Sequence, residues 1–321
     1  MTTKPRHPFR FGVVNDDRVD PEGWVEHVRD VEARGFATLL IRDHILPDFF
    51  GPQLAPLAAL ATAAAVTKRL HVGTLVFSND FRHPAFLAKE AATLDALSGG
   101  RFELGIGAGW MRSEYDAAGL QLDGAGARIE RLDESLQIMR RLLRGERVCF
   151  EGAHYRVSDL ENYPPPVRPG GPPLLVGGGK PRMLRLAGKH ADIVSVLTTS
   201  VASGVVEDSP VERTPAEVER KLGWIREGAS ERFSQIELSL IPTLVITNDR
   251  RRAAEDIICS RRWEGVSACD VLEMPSFLVG TYDEIAETLR ERRERYGFSY
   301  YVFSDARLND ATPLIERLAG E

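Results

Sequence analysis

Two places in the sequence combine residue types that suit acid–base chemistry and phosphate binding. In the first, His44 follows Asp43, so an imidazole that titrates near neutral pH has a carboxylate neighbour that could fix its orientation. In the second, three glycines precede Lys180, Pro181 and Arg182: Gly177, Gly178 and Gly179. Bare backbone N–H groups at a helix start attract phosphate, and the Arg182 guanidinium could add a charge-assisted hydrogen bond. The alternatives are a structural histidine and a turn that needs glycine only for its conformational freedom.

A second glycine-rich segment, Gly-Ile-Gly-Ala-Gly at 105–109, is followed by Trp110. Its spacing differs from the G-x-G-x-x-G fingerprint, which belongs after the first strand of a doubly wound sheet. Small residues at a strand end can leave space for a flat ring, here at Gly107, Ala108 and Gly109, or they can simply allow close packing. No metal site is predicted, because the seven histidines lack ligand spacing and H-E-x-x-H is absent.

The segments around these residues alternate between strand-like and helix-like patterns. Apolar residues at helical spacing, caps and glycine stops predict helices, which fall at 21–34 after an Asp20 cap, 56–67, 84–97, 127–144 and 281–297. Short apolar segments predict eight strands, at 10–14, 38–41, 71–77, 102–107, 173–177, 193–197, 237–246 and 299–303. This alternation predicts a (β/α)₈ TIM barrel, whose catalytic groups lie at the carboxyl ends of the strands.

Composition limits the class of protein further. The 321 residues are predicted to form one barrel domain with loop insertions at 146–172, 198–213 and 265–280. A net charge of −6 argues against nucleic-acid binding. Neither a secretory signal nor an apolar tract of membrane-spanning length is visible. Three widely spaced cysteines indicate reduced thiols and a cytoplasmic location: Cys149, Cys259 and Cys269.

Six segments resemble the luciferase-like monooxygenase superfamily, and most closely its deazaflavin-dependent (coenzyme F420) branch. The similarity covers the chain from Arg10 to about Phe303. The matching text is VGTLV at 72–76, NDFRHPA at 79–85, ATLDALSGGR at 92–101, LGIGAGW at 104–110, VGGG at 176–179 and VGTYDEIA at 279–286.

This resemblance implies where a cofactor would bind. Family members place the ring at the carboxyl mouth of the barrel and the phosphate at the glycine turn after the fifth strand, which implicates Gly177, Gly178, Gly179 and Arg182. It also implies a non-prolyl cis peptide at Leu75–Val76 behind the ring. Residues assigned to the cofactor on this basis also include Asn79, Gly107, Ala108, Gly109 and Trp110.

The sequence departs from the sugar-phosphate dehydrogenases of that branch. The resemblance implies an active-site Trp at the position of Asp48 and a Glu at the position of Trp110 in those enzymes. The acid expected beside the ring is therefore missing, which argues against a sugar phosphate and for a more apolar or aromatic pocket. We assign Phe49, Trp110 and Tyr115 to the substrate.

Three functions are compatible with these observations. The first is an F420-dependent oxidoreductase that transfers a hydride between deazaflavin C5 and a small molecule with an activated C=C, C=N or C=O group. In it, His44 is the proton donor or substrate anchor, Asp43 orients His44, and the chain forms a homodimer. The second is an FMN-dependent monooxygenase that uses reduced flavin and oxygen, and the third is a non-catalytic barrel. Tyr115, Glu114 or a bound water are alternative proton donors.

Overall fold

The structure, a computed structural model, describes residues 7–16, 21–47, 50–201 and 204–321. Strands and helices alternate along the chain. The strands are β1 (Arg10–Val14), β2 (Thr38–Ile41), β3 (His71–Thr74), β4 (Phe77–Ser78), β5 (Phe102–Gly107), β6 (Val148–Glu151), β7 (Arg156–Leu160), β8 (Leu174–Gly178), β9 (Ile193–Val196), β10 (Glu237–Leu240), β11 (Thr243–Ile246), β12 (Phe277–Gly280) and β13 (Phe298–Ser304). The helices are α1 (Trp24–Ala33), α2 (Pro56–Val66), α3 (Pro84–Leu97), α4 (Arg112–Ala118), α5 (Ala125–Leu143), α6 (Pro181–His190), α7 (Pro215–Ala229), α8 (Arg250–Arg261), α9 (Ala268–Glu273), α10 (Tyr282–Tyr296) and α11 (Leu308–Leu318).

Parallel strands close into a barrel with eight strand positions, which confirms the predicted TIM barrel. The order around the barrel is β1, β2, β3, β5, β8, β9, β10 and β13, and β13 pairs again with β1. Strand β4 continues the third position beyond an interruption and also pairs with β5. The carboxyl ends of these parallel strands therefore share one rim.

Alternation of side chains along the strands divides the core into two layers. On β2, Leu39 and Ile41 pack outward in the large cluster between sheet and helices. Leu40 between them points inward and joins Val14 and Tyr300 inside the barrel. Because successive strand residues face opposite sides, only every second position at the rim can reach the barrel interior.

An ion-pair network fills the amino-terminal end of the barrel interior. Arg10 pairs with both Glu103 and Glu237, and its guanidinium lies 3.9 Å above the ring centroid of Tyr300. Burial raises the pKa of Glu103, but the Arg10 charge and hydrogen bonds from Arg10 and His71 outweigh it and hold the pKa at about 2. Open space inside the barrel consequently lies at the carboxyl end.

Several predicted boundaries need correction. The segment 237–246, predicted as one strand, is two strands, because Pro242 has no N–H for a central ladder. Strand β11 leaves the barrel and pairs with β12, and 265–280, predicted as irregular, contains α9 and β12. Helix α1 begins at Trp24 rather than Pro21, and Asp20 lies outside the described residues.

The insertions have structure of their own. Strands β6 and β7 form an antiparallel hairpin within 146–172, and Ser200 bridges to Glu207 within 198–213. Strands β11 and β12 with α8 and α9 form a small lobe that has a separate apolar cluster around Trp263 and Phe277. None of the helices described is long and apolar enough to cross a membrane.

Candidate active site

A cavity of about 730 Å³ lies at the carboxyl ends of the barrel strands. Its volume is in the range of small-molecule and cofactor sites. The structure brings twelve of the predicted residues to its wall: Asp43, His44, Leu75, Val76, Gly107, Ala108, Gly109, Trp110, Tyr115, Gly177, Gly178 and Gly179. Asn79 and Arg182 lie elsewhere, and Phe49 lies outside the described residues.

A carboxylate from α4 holds the imidazole of His44. Both carboxylate oxygens of Glu114 lie 3.1 Å from His44 Nδ1, and Oε1 also accepts from the backbone N–H groups of Ile45 (2.7 Å) and Leu46 (3.3 Å). Burial raises the pKa of Glu114, but these hydrogen bonds outweigh it and the pKa lies below its usual value. An ionised carboxylate only accepts hydrogen bonds, so Nδ1 carries the proton and Nε2 is left to exchange one.

The hypothesis that Asp43 orients His44 is wrong. The Asp43 carboxylate accepts two hydrogen bonds from Arg82, at 2.6 and 3.1 Å, and one from the backbone N–H of Ser78 at 3.0 Å. Neighbouring residues at a strand end point in different directions, which is why sequence adjacency misassigned this partner. Asp43 instead ties the end of β2 to β4 and the turn before α3.

Aromatic rings surround the imidazole. The ring of Phe50 stacks on His44 with centroids 4.8 Å apart, and Trp110 meets it edge-on at 5.9 Å. Arg42 lies 4.0 Å from the Phe50 centroid, and it pairs with Asp16. This arrangement agrees with the aromatic pocket expected from Trp110, and Phe50 is a contributor that the sequence did not single out.

Strand ends without side chains form another part of the wall. The Leu75–Val76 peptide is cis, as the resemblance implied. A Cβ added to Gly107 would lie 2.8 Å from Val76 Cγ2, so that position has no room for a side chain. At Gly177 the nearest atoms, in Val76 and Ser195, would be 3.8 to 4.0 Å away, so an added methyl would enter the cavity. The glycines therefore leave a smooth surface on which a flat ring fits.

Tyr115 has a buried hydroxyl that is already engaged. It donates to Asp80 at 2.9 Å and lies 3.4 Å from Ser78 Oγ. Burial, together with the Asp80 charge, raises the pKa of Tyr115 to about 12. A phenol whose pKa is raised and whose hydroxyl already donates to Asp80 is a poor proton donor near neutral pH.

The structure places Arg182 outside the lining of the cavity. Its guanidinium pairs with Glu130 at 2.6 Å, and both side chains are more than half exposed. The cation on the cavity wall after the glycines is Lys180. Lys180 Nζ lies 2.5 Å from Glu212 Oε1, and the fully buried Lys221 lies 2.8 Å from Glu212 Oε2. Two ammonium groups share one carboxylate, which leaves positive charge beside the glycine turn.

Asn79 is also misplaced by the sequence prediction. Its amide donates to the hydroxyl of Tyr155 at 3.2 Å, toward the β6–β7 insertion. The residue lies in a short 3₁₀ turn after β4, where the side chain no longer follows strand alternation.

Arg128 of α5 is a lining cation that the sequence prediction missed, and it donates to the carbonyls of Gly109 and Asp123.

The luciferase-like monooxygenase family model matches residues 7–271. The chain therefore belongs to the luciferase-like monooxygenase family, as the sequence resemblance indicated.

Curated relatives are named for F420. The F420-dependent glucose-6-phosphate dehydrogenase of Nakamurella multipartita is 30% identical over 264 residues, 81% of this chain and 74% of its own length. The enzyme of the same name from Intrasporangium calvum is 38% identical over 181 residues, 55% of this chain and 54% of its own length. The F420-dependent hydroxymycolic acid dehydrogenase of Mycobacterium tuberculosis is 32% identical over 183 residues, 56% and 50% of the two chains. The matches thus span about half of the length of the latter two relatives.

Solved structures share the fold across the whole chain. The coenzyme F420-dependent tetrahydromethanopterin reductase of Methanopyrus kandleri superposes with a TM-score of 0.73 at 20% identity, covering 98% of this chain and 99% of that one. An EDTA monooxygenase from Chelativorans superposes with a TM-score of 0.76 at 14% identity, covering 98% and 95%. At such identities the likeness concerns the fold alone.

Proposed function

We propose that this chain is an F420-dependent oxidoreductase that transfers a hydride between the deazaflavin and a small molecule with an activated C=C, C=N or C=O group. The observation that carries the proposal is the pairing of His44 with Glu114 beside glycine-lined strand ends in one cavity. The F420-dependent names of the curated relatives support the choice of cofactor.

The residues present fit a flat, phosphate-bearing group. Gly107 and Gly177 leave the strand ends without side chains, and Val76 lies against them. Lys180 follows the glycine turn and, with Arg128, supplies positive charge on the same cavity wall. We propose that Lys180, rather than Arg182, binds the phosphate. The bound deazaflavin would accept or supply the hydride at C5.

In this proposal, side chains of the protein transfer the proton that accompanies the hydride. Glu114 keeps the Nδ1 of His44 protonated, so Nε2 accepts a proton when the substrate is oxidised and donates one when it is reduced. Phe50 and Trp110 pack around the imidazole and restrict water. The same arrangement therefore serves both reaction directions.

Binding titrations of the full chain with F420 and FMN test the cofactor, and Gly177→Ala tests its position. We expect tight binding of F420 and much weaker binding of FMN. Gly177→Ala should weaken F420 binding by at least about ten-fold with an unchanged melting temperature, because the new methyl makes only ordinary van der Waals contacts with Val76 and Ser195 and otherwise enters the cavity. Gly223→Ala, in open space on α7, is the matched control and should leave binding intact.

Two outcomes would contradict the proposal. Tight FMN binding without F420 affinity, together with oxygen consumption by the FMNH₂-loaded enzyme, would favour the monooxygenase alternative. Unchanged F420 affinity in Gly177→Ala would place the ring elsewhere. Gly107→Ala separates ligand and protein effects, because its methyl would collide with Val76 and lower the melting temperature as well.

We further propose a homodimer in the cytoplasm. Phe86 and Leu97, each 71% exposed, are eleven residues apart on α3 and so share one face, and Tyr163 and Val167 are exposed beside it. Phe86→Glu should reduce the molecular mass measured by light scattering, and a monomeric wild type would contradict the dimer.

The three cysteines are unpaired and exposed, which is typical of a reducing compartment.

A further inference from the structure

Three charged residues on the cavity wall have no part in the proton transfer or at the glycine turn: Asp208, Arg213 and Arg261. Arg213 donates from Nε to Asp208 at 2.7 Å and from Nη1 to Thr198 at 3.1 Å and Ser276 at 3.0 Å. Arg261 pairs with the second oxygen of the same Asp208 carboxylate. Arg213 and Arg261 together are the arginine pair, and Asp208 is their shared counterion.

The arginine pair carries one more positive charge than its counterion. In the part of the chain that the structure describes, Asp208 is the only carboxylate that forms an ion pair with either guanidinium. The side chains of Arg213 and Arg261 are 8% and 27% exposed, so water screens this excess charge only in part. A partly buried, uncompensated cation on a cavity wall favours an anionic ligand.

The small lobe holds the arginine pair in place. The guanidinium carbons of Arg213 and Arg261 lie 5.2 to 5.9 Å from the ring centroids of Trp263 and Phe277. These rings belong to the buried cluster between β11, β12, α8 and α9. The charges are therefore fixed by a packed support, and a ligand need not order them on binding.

Apart from the polar residues described above and a few hydroxyl side chains, this cavity wall is largely apolar. Leu75, Phe50 and Trp110 line the cavity, as do Ile241 and Pro242, which connect the barrel to the lobe that carries Arg261. An excess of one charge balances a monoanion but leaves a phosphate dianion undercompensated. Guanidinium groups also match the planar geometry of a carboxylate.

We infer that the substrate is an apolar molecule with one carboxylate, which binds to Arg261 backed by Arg213. This inference rests on the proposed oxidoreductase function in calling the ligand a substrate. The subsite itself is defined by the charges and lining residues alone, so it can be tested without turnover.

Calorimetric titration of the full chain with hexanoate, hexanamide and hexyl phosphate, with and without saturating F420, tests the subsite. We expect hexanoate to bind at least about ten-fold tighter than hexanamide and no weaker than hexyl phosphate. Arg261→Gln should abolish the preference for hexanoate over the amide. Arg251→Gln, on the same helix but 85% exposed and paired with Glu255, is the matched control and should retain it.

Asp208→Asn provides a test in the opposite direction. It leaves both guanidinium groups without a counterion, so the preference should move from hexanoate toward hexyl phosphate. A purely structural role for Asp208 would lower the melting temperature without this change in ligand preference. Lys180→Ala should not alter the hexanoate preference, because Lys180 belongs to the glycine turn.

Several results would overturn the inference. They are equal binding of hexanoate and hexanamide by the wild type, no binding of either, or an Arg261→Gln variant that loses melting temperature but keeps the preference. Loss of F420 affinity in Arg261→Gln with the hexanoate preference intact would assign the arginine pair to anionic groups of the cofactor. Failure of the wild type to bind F420, with an Arg261-dependent preference retained, would instead refute the proposed function and leave the subsite standing.

Discussion

Replacement of Glu114 by Gln tests how His44 is oriented. Glu114 is buried, and its carboxylate accepts hydrogen bonds from His44 Nδ1 and from two backbone N–H groups, those of Ile45 and Leu46. Gln preserves the shape but replaces one acceptor oxygen with an NH₂ donor. The amide can then either accept from or donate to Nδ1, so the tautomer that leaves Nε2 free is no longer enforced.

The size of the effect follows from these contacts. Hydrogen bonds to a charged partner contribute about 1.5–3 kcal/mol, so the variant should lose about that much unfolding free energy. If His44 exchanges the proton in the rate-limiting step, kcat should fall by about 10²–10⁴-fold. F420 affinity should change little. Deazaflavin absorbance gives kcat, and nitrogen NMR of labelled histidine reads the His44 tautomer directly.

Asp43→Asn distinguishes orientation of His44 by Glu114 from orientation by Asp43. Asp43 binds Arg82 and the Ser78 N–H, so its replacement should lower the melting temperature and leave the His44 tautomer unchanged. A changed tautomer in Asp43→Asn, combined with an unchanged tautomer and kcat in Glu114→Gln, would refute the assignment of Glu114 as the orienting residue.

Three further predictions concern charge. The folded-state pKa of Glu114 lies below its ordinary value of 4.5, so the ionised carboxylate stabilises the folded protein above that pH. This contribution to the unfolding free energy is lost as the pH falls through the folded-state pKa. The difference in melting temperature between wild type and Glu114→Gln should therefore shrink in acid. Arg182→Ala should leave F420 affinity within about two-fold, whereas Lys180→Ala should weaken it by about 1.5–3 kcal/mol in calorimetric titration. Lys221→Met leaves Glu212 with Lys180 as its remaining partner but removes the buried ammonium that donates to the Leu197 and Glu212 carbonyls, so it should lower the unfolding free energy by about 1–3 kcal/mol in urea denaturation; a neutral effect would mean that water replaces the ammonium.

Local patterns predicted the barrel well, because its strands and helices carry strong periodic signals. The predicted limits of β1, β2, β5 and α3 coincide with the structure, and α10 begins with a capping box formed by Thr281 and Glu284. The prediction failed where a strand was interrupted. Pro242 lies between β10 and β11, and its missing N–H is a signal that would have divided the two strands.

The candidate site was less predictable, since its contacts join distant segments. Arg182 lies outside the cavity lining, and Arg185 and Lys189, which share its stripe on α6, are a local signal of a solvent-facing side. The Glu114–His44 pairing has no comparable local signal, because it depends on the packing of α4 against the end of β2. Trp110 lies on the cavity wall, and a carboxylate four residues later, that of Glu114, contacts His44.

The end of β2 shows why sequence neighbours are poor guides to side-chain partners. Three consecutive polar residues each bind a different element: Arg42 pairs with Asp16 after β1, Asp43 with Arg82 before α3, and His44 with Glu114 on α4. A single strand end thereby connects loops that follow three separate barrel strands. The position of the imidazole depends on all of these loops, so changes in any one of them can move His44 relative to the glycine-lined wall without touching either. Substrate preference in this barrel can consequently change through loop residues while the strand-end chemistry is retained.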